Sequence, residues 1–193
     1  KQQGKDLSIG GAISSGGGNI LIDPPVNVTV TSDINAAGGN ITLQASNNIE
    51  FTAGNLITSG SGTILVQADS DSSGGGNLTF TNAGVSETAA KVRTGDGTIQ
   101  LKGEQISFSD YSAVTDGKIE ILAGQGGSSN GQIYSSADSA QQTANFDLSA
   151  GSFDIEQRTG ETATAAAADG IGQSGGNTLE IVSSVQVDAE ADG

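Results

Sequence analysis

Any chemistry in this chain must come from carboxylates. Its 193 residues hold 22 Asp and Glu against 7 Lys and Arg, with no His and no Cys. Without His there is no Ser–His or Cys–His nucleophile pair. Without Cys there is neither a thiolate metal site nor a disulfide. Glycoside hydrolysis is one chemistry left, and it needs two carboxyl groups about 5–10 Å apart across a cleft. Asp154 with Glu180, and Glu120 with Asp154, are the pairs expected as outward neighbours on consecutive rungs of a stacked sheet. Such pairs arise without selection in a chain this acidic, and the only aromatic platforms for a sugar are Tyr111 and Tyr134. A lyase needs a Lys or Arg base beside an Asp cluster, but Arg93 and Lys102 fall on different strands with no such cluster. The chain therefore reads as non-catalytic, with no cofactor. Cation binding is the other chemistry. Asp69 and Asp71, in a Gly- and Ser-rich corner, are the metal candidates, and calcium suits an all-oxygen ligand set. Asp188, Glu190 and Asp192 alternate further on. Neither group has the EF-hand or the calcium-binding nonapeptide spacing. Polar corner residues and a charged terminal strand are the preferred reading of both groups.

The net charge of −15 opposes nucleic-acid binding, which needs Lys and Arg against phosphate. It also opposes docking on anionic lipid. No apolar run is long enough to insert into a membrane. Only 34% of the residues are hydrophobic and 4% aromatic, with 30 Gly and 2 Pro. That composition suits a disordered chain unless the few apolar residues are ordered along it.

They are ordered. A phrase of Gly, then usually Asn or Thr, then an alternating apolar pair recurs along the chain. It opens at Gly18-Asn19-Ile20-Leu21-Ile22 and returns at Gly39, Gly62, Gly97, Gly117, Gly151 and Gly176, the last with one extra residue. The steps are 21, 23, 35, 20, 34 and 25 residues. Most steps hold a second alternating run, such as Val28-Thr29-Val30, Ile49-Glu50-Phe51 and Leu78-Thr79-Phe80. Ile13, Ile34, Ile57, Val92, Phe146 and Ile171, each five residues before the next opening Gly, mark a third, and Val114 breaks the rule at three. Three short alternating runs per repeat, separated by Gly, Ser, Asn and Asp, read as three strands and three turns. One repeat cannot bury its apolar face, but stacked repeats can. The expected fold is all-β: a single right-handed parallel β-helix of three short strands per coil and about seven coils, opening near 19, 40, 63, 98, 118, 152 and 177. Parallel crossovers are right-handed as a rule. One inward column is expected to hold Ile20, Ile41, Ile64, Ile99, Ile119, Phe153 and Leu179. Its neighbour holds Ile22, Leu43, Val66, Leu101, Ile121, Ile155 and Ile181. Asn19, Asn40, Thr63, Thr98 and Asn177 follow the opening Gly and suit a side-chain ladder. Asn27, Asn40 and Asn77 match the N-glycosylation pattern but read as by-products of the phrase. The two long steps carry insertions, 69–76 and 83–88 in one, 124–130 and 136–142 in the other.

Gly39-Asn40-Ile41-Thr42-Leu43-Gln44-Ala45, and Lys91 to Leu101, resemble repeats of filamentous haemagglutinin-type proteins. The likeness runs over about residues 7–187. That family comprises large secreted bacterial adhesins with right-handed β-helical shafts. The resemblance implies an extracellular or cell-surface shaft segment or fibre subunit of a bacterial adhesin. The strand-like phrases Asp6-Leu7-Ser8-Ile9 and Val185-Gln186-Val187-Asp188 suit self-association end to end or continuation of the same chain, and the corner insertions near 69–76 and 124–130 suit host or matrix glycans as partners. The family's Asn-Pro-Asn-type secretion motif is not found; the only prolines are Pro24 and Pro25. The start at Lys1 reads as a processed product or a segment.

Overall fold

A computed structural model describes residues 5–23, 26–73, 75–81, 90–108, 111–124, 132–135, 145–150, 152–157, 172–173, 178–183 and 187–191. Beyond residue 124, and at some strand positions before it, the description is of the backbone. Described residues form strands and turns and no helix. The first coil is β1 (Leu7–Ile9), β2 (Ile13–Ser14) and β3 (Ile20–Ile22). The second is β4 (Val28–Val30), β5 (Ile34–Asn35) and β6 (Ile41–Gln44), and the third is β7 (Ile49–Phe51), β8 (Leu56–Ile57) and β9 (Ile64–Gln67). The fourth is β10 (Leu78–Phe80), β11 (Ala90–Arg93) and β12 (Ile99–Gly103), and the fifth is β13 (Gln105–Phe108), β14 (Tyr111–Val114) and β15 (Lys118–Ala123). The sixth is β16 (Gln132–Ser135), β17 (Asn145–Ala150) and β18 (Ser152–Gln157), and the seventh is β19 (Gly172–Gln173), β20 (Thr178–Ser183) and β21 (Val187–Ala191). Every strand pairs with the strand three places on, which yields three seven-stranded sheets. All the pairings are parallel. This is the parallel β-helix with three strands per coil that the repeat predicts.

The alternation of each strand decides what is inside. Along β6 and β9 the burial runs buried, half-buried, buried, half-buried. Ile41, Ile64, Ile99 and Ile119 stack in register, as do Leu43, Val66, Leu101 and Ile121. In the first sheet the rings of Phe51 and Phe80 stack with centroids 4.9 Å apart and planes at 14°. Each such side chain removed from water contributes about 1.5–3 kcal/mol. A core one side chain wide therefore holds with few apolar residues in total.

Three sequence expectations need correction. The seventh phrase does not extend the third sheet. Thr178–Ser183 lies in the second sheet, with Leu179 opposite Phe146 and Ile181 opposite Leu148. The third sheet ends instead in Val187 opposite Phe153 and Ala189 opposite Ile155. The run Val185-Gln186-Val187, expected in the first sheet, thus supplies Val187 to the third. The run at Ile171 does not mark the second sheet, because the adjacent β19 pairs in the first, with Gly172 opposite Tyr134; Ile171 itself lies outside the described residues. In the third and fifth coils the runs at Ile57 and Val114 do lie in the second sheet, where Leu56 and Ala113 are buried in register with Val92. The cause of the three corrections is common. Corner lengths vary, so distance from the opening Gly does not fix a residue's sheet or face.

The corners explain the polar residues. Between the second and third sheets the opening glycines stack. A Cβ on Gly39 would fall 2.4 Å from the Gly18 carbonyl oxygen, and one on Gly97 would fall 2.2 Å from that of Gly62. Buried threonines pin this corner to the preceding coil: the hydroxyl of Thr58 donates to Gly39 O (2.6 Å), Thr94 to Gly62 O (2.5 Å) and Thr115 to Gly97 O (2.6 Å). Asparagines do the same at the strand starts. Asn19 Oδ1 accepts from Asn40 N–H and Asn40 Oδ1 from Thr63 N–H, both at 2.9 Å. Asn27 accepts from the main-chain and side-chain N–H groups of Asn48 (both 3.2 Å), and Asn48 accepts from Asn77 N–H (2.9 Å). The expected ladder is thus present for Asn19, Asn40 and Thr63. Asn177 lies outside the described residues.

Candidate functional site

Two places stand out by their chemistry: the corner at 68–77 and the outward face of the third sheet. The corner begins where β9 runs out. Asp69 N–H donates to Asn47 O (3.1 Å) and Ser70 N–H to Ala45 O (2.9 Å), tying the corner to the coil below. Asp69 and Ser72 both take φ of 54°, a left-handed conformation unusual outside glycine. The turn is closed by Ser72 N–H donating to Asp69 O (2.9 Å). The Asp69 carboxylate is buried and accepts from Ser73 N–H at 3.0 Å, and Asp71 Oδ1 lies 3.3 Å from the same nitrogen. Glycine is required at 76, where a Cβ would lie 2.4 Å from Asp69 N. Glu104, also buried, donates its N–H to Gly76 O (2.8 Å) one coil on.

Asp69 and Asp71 are thus brought together, but around an amide N–H. That pairing stabilises the turn as an N-capping carboxylate does. Calcium takes six to eight oxygens, and no group of three acidic side chains suited to a metal occurs among the described residues. Asp192 of the second acidic group lies outside the described residues. Asp188 and Glu190 lie on β21, opposite Asp154 and Glu156. Of the second long-step corner only Gly124 is described, with φ of 87°; 125–130 lie outside the described residues.

The outward face of the third sheet changes character along the stack. One register column reads Leu21, Thr42, Leu65, Gln100, Glu120, Asp154, Asp188. Leu21 is 65% exposed, the large apolar side chain most open to solvent among those described. Gln44 Nε2 donates to Gln67 Oε1 (3.0 Å) in the neighbouring column. Further on, Glu120 accepts from Gln100 Nε2 and forms an ion pair with Lys118 at 2.8 Å. Partial burial pushes the Glu120 carboxyl up. The bonds from Lys118 and Gln100, with the charges of Lys118 and Lys102, outweigh that and hold it below its ordinary value.

This geometry sorts the carboxylate pairs. Glu120 and Asp154 do stand on adjacent strands at one register, about 4.8 Å apart along the sheet. A general acid must hold a proton at its working pH, and Glu120 is driven the other way. Glu180 is not a neighbour of Asp154, as the sequence suggested, because β20 places it in the second sheet opposite Asp147. Arg93 and Lys102 lie in different sheets, opposite Val114 and Leu122. Tyr111 and Tyr134 are likewise split between the second and first sheets. The threonine column at 58, 94 and 115 was missed in the sequence. Its signal was there, each Thr lying two residues after an inward residue of the second sheet. Its distance from the opening Gly shrinks from four to three to two, which hid it. Comparison with known proteins finds no family model, no curated protein and no solved structure that matches this chain.

Proposed function

We propose that this chain is a structural element of a cell-surface or secreted bacterial protein, a shaft segment or fibre subunit without catalytic activity. One observation carries the reading: its side-chain ladders and pins run from one coil to the next. Asn19 and Asn27 each accept from the coil above, and Asp33 does the same, taking the Asn55 N–H at 2.8 Å. The threonine pins also bridge coils. Such bonds stiffen a rod along its length. The acid surplus keeps a rod soluble and clear of nucleic acid and anionic lipid. Open strand edges at the ends of a stack take further strands, either more of the same chain or another copy end to end. The test is electron microscopy with sedimentation of the native material. Rods or fibres with the chain embedded in them support the reading. A monodisperse particle of this chain alone, at every concentration, overturns it.

A second reading is recognition of host or matrix glycans by the corner insertions, since loops on rigid scaffolds commonly carry recognition. The build of 69–73 supports it: two left-handed residues and a buried carboxylate fix the turn there. A glycan array run with the intact chain and with a chain shortened at 70–75 distinguishes the two. Hits lost on shortening favour recognition, and an array without hits counts against it.

A further inference from the structure

In a chain this acidic, one face carries no acid. Over the second, third and fourth coils the outward face of the third sheet presents Thr42 and Gln44, Leu65 and Gln67, then Gln100 and Lys102, in register. All six reach solvent, and Lys102 is the one charge among them. The other two sheets do carry acids in these coils: Glu50 on the first and Asp33 at the start of β5 in the second, both exposed. The polar groups of the third-sheet face are partly satisfied from within. Gln44 donates to Gln67 (3.0 Å), and Asn40, at the start of the same strand, accepts from Thr63 N–H (2.9 Å). Covering such a face strips fewer amides of water. One coil before it, Leu21 adds an apolar side chain that is 65% exposed.

The charges favour a second copy of this chain as the occupant. Two chains of net charge −15 repel wherever their acids meet, and on this face none meet. A two-fold axis along the strands, passing between the second and third coils, also matches opposite charges. It sets the first coil of each copy over the fourth of the other, and the second over the third. Leu65 then faces Thr42, Gln67 faces Gln44, and Leu21 faces Gln100. Lys102 meets Asp23, which is exposed just past β3, once on each side of the axis. The contact is isologous, with two sheets face to face about 10 Å apart. Lys118 and Glu120, already an ion pair, stand on the fifth coil, outside the four that match. Four strands about 4.8 Å apart and five residues of about 3.3 Å each give about 320 Å² of flat face per copy. A stable complex buries about 800 Å² per partner, so this contact is weak and acts where chains are crowded side by side.

We propose that the acid-free face of the third sheet is a lateral docking surface for a second copy of this chain, pairing two stacks flank to flank and antiparallel. The pairing rests on neither functional reading above. It uses the flank of the stack, whereas end-to-end association uses strand edges, so variants of this face stop one and leave the other.

The test is sedimentation velocity of the intact chain up to about 1 mM, with small-angle scattering to separate a flank-to-flank pair from a longer end-to-end one. The expected result is a monomer–dimer equilibrium with a Kd of about 0.1–1 mM, the dimer wider than the monomer but not twice as long. Asp23→Lys and Lys102→Glu each set like charges face to face and should weaken pairing about tenfold or more. Asp23→Lys should do so even though it lowers the net charge. The double variant restores opposite charges and should pair to within about threefold of wild type. Lys102 also acts on Glu120 through its charge, so urea midpoints are read alongside. If Lys102→Glu does not fold, Asp23→Lys, at an exposed residue, decides alone. A chain that stays monomeric at about 1 mM overturns the proposal, as does one that only lengthens. So does a dimer that Asp23→Lys leaves unchanged, or a folded double variant that does not pair.

Discussion

Gly97→Ala tests the stacking of glycines at the corner between the second and third sheets. The added Cβ would lie 2.2 Å from Gly62 O, 2.8 Å from Gly62 C and 3.0 Å from Ser61 C. These are backbone atoms, so no rotamer change relieves the contact. The fourth coil has to lift off the third by about an ångström at this corner, an overpacking cost of about 1–3 kcal/mol. The same shift pulls on the bond from Thr94 to Gly62 O (2.5 Å) and on that from Asp96 N–H to Gly60 O (2.9 Å). A weakened buried bond adds about 1 kcal/mol. The expected loss is about 3 kcal/mol, read as a lower urea midpoint and, for a chain of this size, a Tm lower by about 6–12 °C. Gly16→Ala is the control, since its Cβ would meet nothing within 4 Å, and it should stay within about 0.5 kcal/mol of wild type. If Gly97→Ala is as stable as wild type, or Gly16→Ala is equally damaging, close stacking is not why glycine opens the phrase.

Thr115→Val removes a hydroxyl that donates to Gly97 O (2.6 Å) and accepts from Gly117 N–H (3.0 Å); with both left unpaired the urea midpoint should fall by about 2 kcal/mol equivalent. Phe80→Ala empties the ring stack on Phe51 and should cost about 3–5 kcal/mol by the same assay. Lys118→Ala should raise the Glu120 pKa, followed by carboxyl NMR. Because the folded carboxyl sits below its ordinary value, Glu120 contributes stability that is complete above the unfolded value and is lost as pH falls through the folded one. Acid therefore weakens the fifth coil, and residue-level hydrogen exchange over β15 reads that loss. At the 68–77 corner, where the paired carboxylates already surround an N–H, added calcium should leave the melting midpoint unmoved. A rise that Asp71→Asn abolishes would show a calcium site there.

Much of the architecture was legible because alternation and repetition report different things. Alternation in Ile41-Thr42-Leu43 gave a strand and its buried face, and recurrence of the phrase gave the stack. Sheet membership was less legible. Thr178-Leu179-Glu180-Ile181 reads like Thr98-Ile99-Gln100-Leu101, yet the two lie in different sheets. What separates them is the length of chain between strands, which varies from a single residue at 151 to the stretch 158–171. The carboxylate pairs inherited that limit. Glu120 and Asp154 were placed correctly because both follow regular phrases, and Glu180 was misplaced with its strand. The roles of polar residues were legible only in part. The Asn ladder follows from equal spacing, whereas the Thr58, Thr94 and Thr115 pins depend on which corner atoms come within hydrogen-bond reach.

The hydrogen bonds of this stack run between coils, and that determines how it answers force. Tension applied at the two ends of the chain does not load the sheets all at once. It peels coils one ladder at a time, while the remaining coils stay folded under the same load. Each coil lost releases its own 20 to 35 residues, about 70 to 120 Å of contour. A pulled molecule should therefore lengthen in discrete steps of unequal size, the longest from the coils with corner insertions. Extra corner residues that add nothing to the height of the stack become reserve length under load.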